Sequence, residues 1–151
     1  MSTFYYTSTN TVFRNFLFYA ILSILKMMIM SFLTVAQRLR KNVFANPEDI
    51  IPKKGKTVLP TTSDPDVERV RRNHLNDIEN IIPFVLIGLC YVACNPDSNV
   101  SLWHFRIFFF SRILHTISYQ LPLPQPSRRV TFFIGLIVTV SMAIQTLLVV
   151  S

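Results

Sequence analysis

Glycine, cysteine and charge are all scarce in this chain, and each shortage removes a class of protein. The three glycines, Gly55, Gly88 and Gly135, are too dispersed to form a phosphate-binding loop. Two cysteines, Cys90 and Cys94, cannot build a disulfide scaffold, and a metal site would need other ligands beside them. They read as two small buried apolar residues. There is no HExxH, no GxSxG and no internal repeat, so zinc-protease and serine-hydrolase chemistry are not signalled. Charged residues make up 15% of the chain, against about 25% in soluble domains. Acidic residues are the rarer sign, 8 against 15 Lys+Arg, which leaves a net charge of +7.

What is present is hydrophobic: half of all residues, with a positive mean hydropathy. At 151 residues one domain, 1–151, is expected, and a chain so short of polar surface reads as a membrane protein. The basic residues sit beside apolar segments rather than in a separate tail. That favours membrane topology and an anionic ligand over nucleic acid.

Four apolar segments stand out: 15–36, 81–94, 100–121 and 130–150. A bilayer core about 30 Å thick needs about 20 helical residues. The first, third and fourth segments have that length. The second has only 14 residues, about 21 Å of helix, and crosses only if the polar stretch before it enters the membrane too. Backbone in lipid must satisfy its own hydrogen bonds, so helices are the default. The expected fold is an all-α integral membrane protein, a bundle of four transmembrane helices at about 13–40, 66–94, 100–121 and 128–150. Asp64 or Asp66 should stand at the second N-cap, and Pro83, inside that helix, should bend it. The first segment is too long for a signal-peptide core and lacks a clean small-residue cleavage site, so it reads as an uncleaved signal anchor.

Loop charges set the orientation. The connection 41–65 and its flanks carry Arg38, Arg40, Lys41, Lys53, Lys54 and Lys56, and the third connection carries Arg128 and Arg129. The second has only Asp97, and the first thirteen residues have no charged side chain. The first and third connections should therefore face the cytosol, and both termini the lumen. The sequon Asn99-Val100-Ser101 lies almost at the membrane, which argues against its use. In the Pro-rich first connection, Asn46-Pro47-Glu48-Asp49 should start a short helix with Asn46 as cap, and the remainder reads as mobile. "PLPQP" at 122–126 reads as a stiff, extended turn between helices three and four.

The densest polar stretch is "ERVRRNHLNDIENIIPF", residues 68–84. On a helix, Arg72, Asn76, Glu79, Asn80 and Pro83 share an arc of about 100°. Arg69 extends it, while Arg71, His74 and Asp77 lie on other sides. Helix three offers a matching face of His104, Phe108, Ser111, His115 and Tyr119, with Arg112 at its edge. A charge at the bilayer centre costs at least about 2.5–3.5 kcal/mol, so such groups face an interior or a cavity. Two explanations fit: a paired network that holds helices or subunits together, or a polar pocket for a charged ligand. Arg38, Arg69, Arg71, Arg72, Arg112 and Arg128 outnumber Glu68, Asp77 and Glu79. The ligand should thus be net anionic, with arginine as the bidentate carboxylate clamp and Glu79 suited to an ammonium.

The motifs "VFANPEDI", "ERVRRNHLNDIENIIPF", "HFRIF", "SRILHTISY" and "PLPQPSR" occur in order across about residues 20–145. In them the chain resembles the microsomal glutathione transferase 1 branch of the MAPEG family, the membrane-associated proteins in eicosanoid and glutathione metabolism. The resemblance implies a homotrimer with glutathione bound between neighbouring subunits at the cytosolic side, and no metal. By motif it implies that Arg38, Arg71, Arg72, His74, Asn76, Glu79 and Tyr119 contact glutathione. It implies that Arg128 stabilises the thiolate and that Arg112 supports the same pocket. The thiolate would attack lipophilic electrophiles arriving through the bilayer, and glutathione-dependent reduction of lipid hydroperoxides would be a second activity. The location implied is the endoplasmic reticulum membrane or the outer mitochondrial membrane, with the active site facing the cytosol. The same family offers a glutathione-dependent eicosanoid synthase or isomerase as an alternative, and a non-catalytic trimeric subunit would use the polar cluster as glue. The chain departs from the pattern in three places. Ile50 stands where such transferases carry a reactive cysteine. Asn73 stands where alanine is usual, with little effect expected. Arg129 adds a second charge beside Arg128.

Overall fold

The computed structural model describes residues 5–50 and 59–151. Helices account for most of it: α1 (Thr11–Lys41), α2 (Pro65–Ala93), α3 (Ser98–Gln120) and α4 (Ser127–Val150). A single 3-10 turn, Pro47–Asp49, interrupts the first connection. Lys53, Lys54, Lys56 and most of the segment expected to be mobile lie outside the described residues.

Local chemistry sets the helix ends. Asn10 caps α1, its Oδ1 accepting from the Val12 and Phe13 N–H groups at 2.9 and 3.3 Å. Asn42 ends that helix in the left-handed region at φ 57°, which asparagine tolerates better than most residues. Of the two aspartates expected near the start of α2, Asp64 is the cap. Its Oδ1 accepts from Asp66 and Val67, both at 3.0 Å, and Pro65 occupies the first helical position. The Val67 N–H, against desolvation and helped by Asp66 and Lys41, holds the Asp64 carboxyl below its ordinary value. Lys41 bonds Asp66 and approaches Asp64 at 3.6 Å, so the end of α1 is tied to the start of α2. The Thr61 N–H donates to the Phe44 carbonyl at 2.7 Å, closing the described ends of the first connection on each other.

The polar stretch 68–80 is part of one helix with the apolar stretch that follows, as the length argument requires. Three helices, α1, α2 and α4, are long and apolar enough to cross a membrane. The 23 residues of α3 reach about 34 Å, but Arg106, Arg112 and two histidines dilute its apolar character. α1 packs on α2 and α3, α4 packs on α3 and α2, and α1 and α4 are not neighbours.

Between the helices, Phe16, Phe84, Phe105 and Phe108 form the apolar core, with Phe84 and Phe108 stacked at 3.7 Å and 3°. Gly88 makes room for it: a Cβ there would stand 2.3 Å from Cε2 of Phe16. Large apolar side chains such as Phe18, Phe32, Phe110 and Leu147 point outward while Lys26, Asn73, Asp77 and Arg112 are buried. That distribution suits a bundle solvated by lipid, where ionisable groups turn inward.

The paired-network explanation has a direct counterpart at Asp77. The Lys26 ammonium donates to Asp77 Oδ2 at 2.5 Å, with both side chains buried. One turn away the Asn73 amide donates to Met30 Sδ at 3.9 Å. Its Oδ1 is buried without a partner among the described residues, and such a group costs about 1–3 kcal/mol. The expected small effect of Asn73 is therefore corrected: the residue sits in the α1–α2 seam, not on a free face.

One further expectation is corrected. Cys90 is exposed and Cys94 half-buried, both as free thiols, because residue 90 falls on the outward face of α2 next to Leu86 and Leu89. The expected short helix is present, with Asn46 at the N-cap and Pro47 first; the Asn46 side chain makes no cap bond, and its Nδ2 donates to Asp49 Oδ2 at 3.0 Å. The 122–126 connector is the turn expected between α3 and α4: turns stand at both ends of it, and the Leu123 N–H folds back onto the Ser118 carbonyl at 3.1 Å.

Removing one member of the buried ion pair strands the other. Asp77→Ala should cost about 3–5 kcal/mol of stability, and Lys26→Met combined with Asp77→Leu should restore most of it. Thermal unfolding of the detergent-solubilised variants measures both.

Candidate functional site

The first and third connections lie at the same end of the bundle, and the polar residues of α2, α3 and α4 converge there. A cavity of about 360 Å³ opens between these helices. Asn76, His115, Tyr119 and Arg128 form its polar wall, Phe132 and Phe133 its apolar wall, and Gln125 and Arg129 also line it.

Arg128 is held by stacking. Its guanidinium lies 5.0 Å from the centre of the Tyr119 ring, and Tyr119 in turn meets the His115 ring at 5.3 Å. Stacking uses the guanidinium face and leaves its edge donors free. The Arg128 Nε is buried and has no partner among the described residues. A donor in that state calls for an acceptor from outside the protomer.

His115 is 3% exposed. Its Nδ1 lies 3.1 Å from the Arg128 carbonyl and 3.0 Å from Thr131 Oγ1. A carbonyl only accepts, so Nδ1 carries the proton and Nε2 is the free acceptor. Nε2 is buried without a partner among the described residues. His115 thus fixes the backbone from which Arg128 extends.

Arg112 stands behind the cavity, 0% exposed. Its Nη1 donates to Asn76 Oδ1 at 3.2 Å, and its Nη2 donates to the Thr131 and Phe132 carbonyls at 2.9 and 3.4 Å. One guanidinium therefore joins α2 and α4 to α3. The space exists because of Gly135, where a Cβ would stand 2.9 Å from both Arg112 Nη2 and Ser111 Oγ.

Of the residues expected at the site, the protomer brings Asn76, Tyr119 and Arg128 into one cavity, with Arg112 in support. Arg71 is exposed and pairs with Glu68 at 3.0 Å. Arg72 and Glu79 are exposed on the outer face of α2, and neither has an ion-pair partner among the described residues. His74 and Arg38 are half-buried, and Arg38 Nη1 is buried and unpaired among the described residues. Arg69 meets Asp66 at 3.4 Å.

Sequence reasoning placed His115 on the correct face of α3 but not in the site. It missed Gln125, Arg129, Phe132 and Phe133. A signal existed for Phe132, which follows Arg128 by four residues and so shares its helix face. Among the described residues no group of three His, Cys, Asp or Glu side chains is placed to hold a metal.

Three membrane-length helices, a buried ion pair and an arginine-lined cavity define a helical membrane protein. Comparison with known proteins specifies the group: the chain belongs to the MAPEG family, whose pattern matches residues 16–148. It is 51% identical over 140 residues to microsomal glutathione S-transferase 1 of Homo sapiens, covering 90% of this chain and 89% of that one. The Mus musculus protein of the same name is also 51% identical over 140 residues, covering 91% and 90%. Prostaglandin E synthase of Homo sapiens is 40% identical over 132 residues, covering 87% and 86%.

Gly135→Ala tests how tightly Arg112 is held. Overpacking there should cost about 1–3 kcal/mol, read as a lower unfolding midpoint in detergent. An unchanged midpoint would mean that the guanidinium relocates freely.

Proposed function

We propose that the protein is a membrane-bound glutathione transferase that conjugates the glutathione thiolate to lipophilic electrophiles. The observation that carries this reading is the unpaired, stacked Arg128 guanidinium beside Asn76 and Tyr119. The family membership and the names of the relatives support it.

Glutathione carries two carboxylates, one ammonium and a thiol. Arg38, Arg71, Arg72 and His74 supply donors for the carboxylates, and Glu79 pairs with the ammonium. Asn76, fixed by Arg112, and Tyr119 orient the peptide. A cysteine thiol has a pKa of about 8.5, and the cation of Arg128 favours its ionised form. The thiolate sulfur then attacks the electrophilic carbon, a C–S bond forms and the leaving group departs with its electron pair. In the peroxidase branch two glutathiones reduce one lipid hydroperoxide to the alcohol and water and become the disulfide.

Arg72 and Glu79 are charged, exposed and carried by a membrane-spanning helix. A homotrimer covers that face of α2 with a neighbouring subunit and completes the glutathione site there. The basic end faces the cytosol, and the host membrane is the endoplasmic reticulum or the outer mitochondrial membrane. A second reading, a glutathione-dependent eicosanoid synthase, draws support from the 40% identity to prostaglandin E synthase. It ranks lower because the transferases match at 51%.

Detergent-solubilised protein should conjugate glutathione to a chlorodinitroarene. Absence of both turnover and glutathione affinity would leave the polar cluster as subunit glue. Arg128→Ala should lower kcat about 100-fold, the usual loss for one transition-state donor, with a modest rise in the glutathione KM. Glu79→Gln should weaken glutathione binding while the oligomer keeps its size on a sizing column.

A further inference from the structure

We propose that a phospholipid with a net anionic headgroup binds at the seam of α1 and α3, its phosphate on Arg106. The site lies toward the start of α3, away from the cavity at the other end of that helix, and does not depend on the glutathione reading.

Arg106 stands eight positions after Ser98, the first residue of α3, so its Cα lies about 12 Å into the helix. Helical side chains slope toward the N-terminus, and this one does. Its guanidinium stands 5.6 Å from the centre of the Trp103 ring, one turn nearer that end. Its Nε donates to the Tyr19 hydroxyl of α1 at 3.1 Å. Side chains of two helices therefore fix the guanidinium in place. A guanidinium carries five N–H donors, and Tyr19 takes one. The donors on Nη1 and Nη2 have no protein acceptor, and no carboxylate pairs with the charge, among the described residues.

Water does not solvate this stripe. Trp103 and Phe110, which flank Arg106 along α3, are both exposed, and on a bundle in a bilayer they meet lipid. A half-buried cation held there needs a counter-charge from outside the protomer. A second polar group stands beside it. Asn15 precedes Tyr19 by four residues and shares its face of α1, one turn nearer the same end of the bundle. It is half-buried, and its side chain makes no hydrogen bond among the described residues. Arg106, Asn15 and Trp103 thus give one seam a cation, an amide and an indole, the groups that suit a phosphate, a polar headgroup and the membrane interface.

The class of headgroup follows from what the seam lacks. Choline or ethanolamine brings a cation that needs an acid or an open aromatic face. Asp97, the acid at this end of α3, is engaged as its cap, accepting from Asn99 and Val100 at 3.0 and 2.9 Å. Arg106 already stands over the Trp103 ring. A glycerol or inositol headgroup brings no cation, and its hydroxyls can bond Asn15.

Native mass spectrometry of the full-length protein tests this, in detergent doped with equal amounts of phosphatidylglycerol and phosphatidylcholine of the same acyl chains. The protein should retain phosphatidylglycerol preferentially. Loss of a charge-assisted contact predicts that Arg106→Gln lowers that retention about tenfold or more, with phosphatidylcholine unchanged. Asn15→Leu, which leaves the Arg106 tie intact, should lower it less. Equal retention of the two lipids by the unsubstituted protein overturns the proposal, as does undiminished retention in both variants. Displacement of the lipid by an equal concentration of inorganic phosphate also overturns it, leaving a site for any anion. Should Arg106→Gln break the oligomer while lipid retention persists, the counter-charge comes from a neighbouring subunit and the proposal fails. If Arg106→Gln does not fold, Asn15→Leu decides: unchanged selectivity there overturns the lipid site.

Discussion

The Arg112 guanidinium is the contact on which the basic end of the bundle depends. It starts on α3, reaches Asn76 on α2 and takes two backbone carbonyls of α4. Its Nε is buried without a partner among the described residues, so the three bonds made by Nη1 and Nη2 are what tie these helices together at that level. Gly135 supplies the space. The cavity is built on the outer side of this contact, and Asn76 belongs to both. Lys26 and Asp77 repeat the principle on the other side of α2, where they fix α1. Two buried electrostatic contacts thus locate all four helices, and the phenylalanine core fills the space further along.

The same arrangement accounts for the division of polar residues on α2. Asp77 points inward and meets Lys26, and Asn73 follows it at one-turn spacing. Asn76 points toward α3 and α4. Arg72 and Glu79 point away from the protomer. A helix polar nearly all round meets different surroundings on its different sides here. The inner side is structural, the side facing α4 borders the cavity, and the outer side is free in the protomer.

Much of this was legible in the sequence. The four helices followed from the apolar runs, and α2 followed from a length argument: fourteen apolar residues cannot cross alone, so residues 68–80 had to continue the helix. Helical angle set Asp77 apart from Asn76, but whether it served a paired network or a pocket stayed open until Lys26 was seen beside it. Helical angle says which residues share a face, but not which neighbour that face meets. That is why Asn73 looked neutral, why Cys90 was expected inside, and why His115 was placed on a face and not in a site. Gln125 and Phe133 were missed for another reason: the cavity forms where the 121–126 connector returns α4 against α3, and that geometry depends on turns rather than on periodicity. Asn46 illustrates the limit at the smallest scale, since a capping residue type bonded a carboxylate instead of a backbone N–H.

The central claim is that the basic cavity holds glutathione as its thiolate. Ultraviolet difference absorbance of the purified, detergent-solubilised protein mixed with glutathione at neutral pH measures that species directly. A free thiol with a pKa of about 8.5 is mostly protonated there. A thiolate band that saturates with glutathione concentration, and that is lost in Arg128→Ala while glutathione still binds, is the result predicted. Saturable glutathione binding with no thiolate band at any concentration would contradict the account.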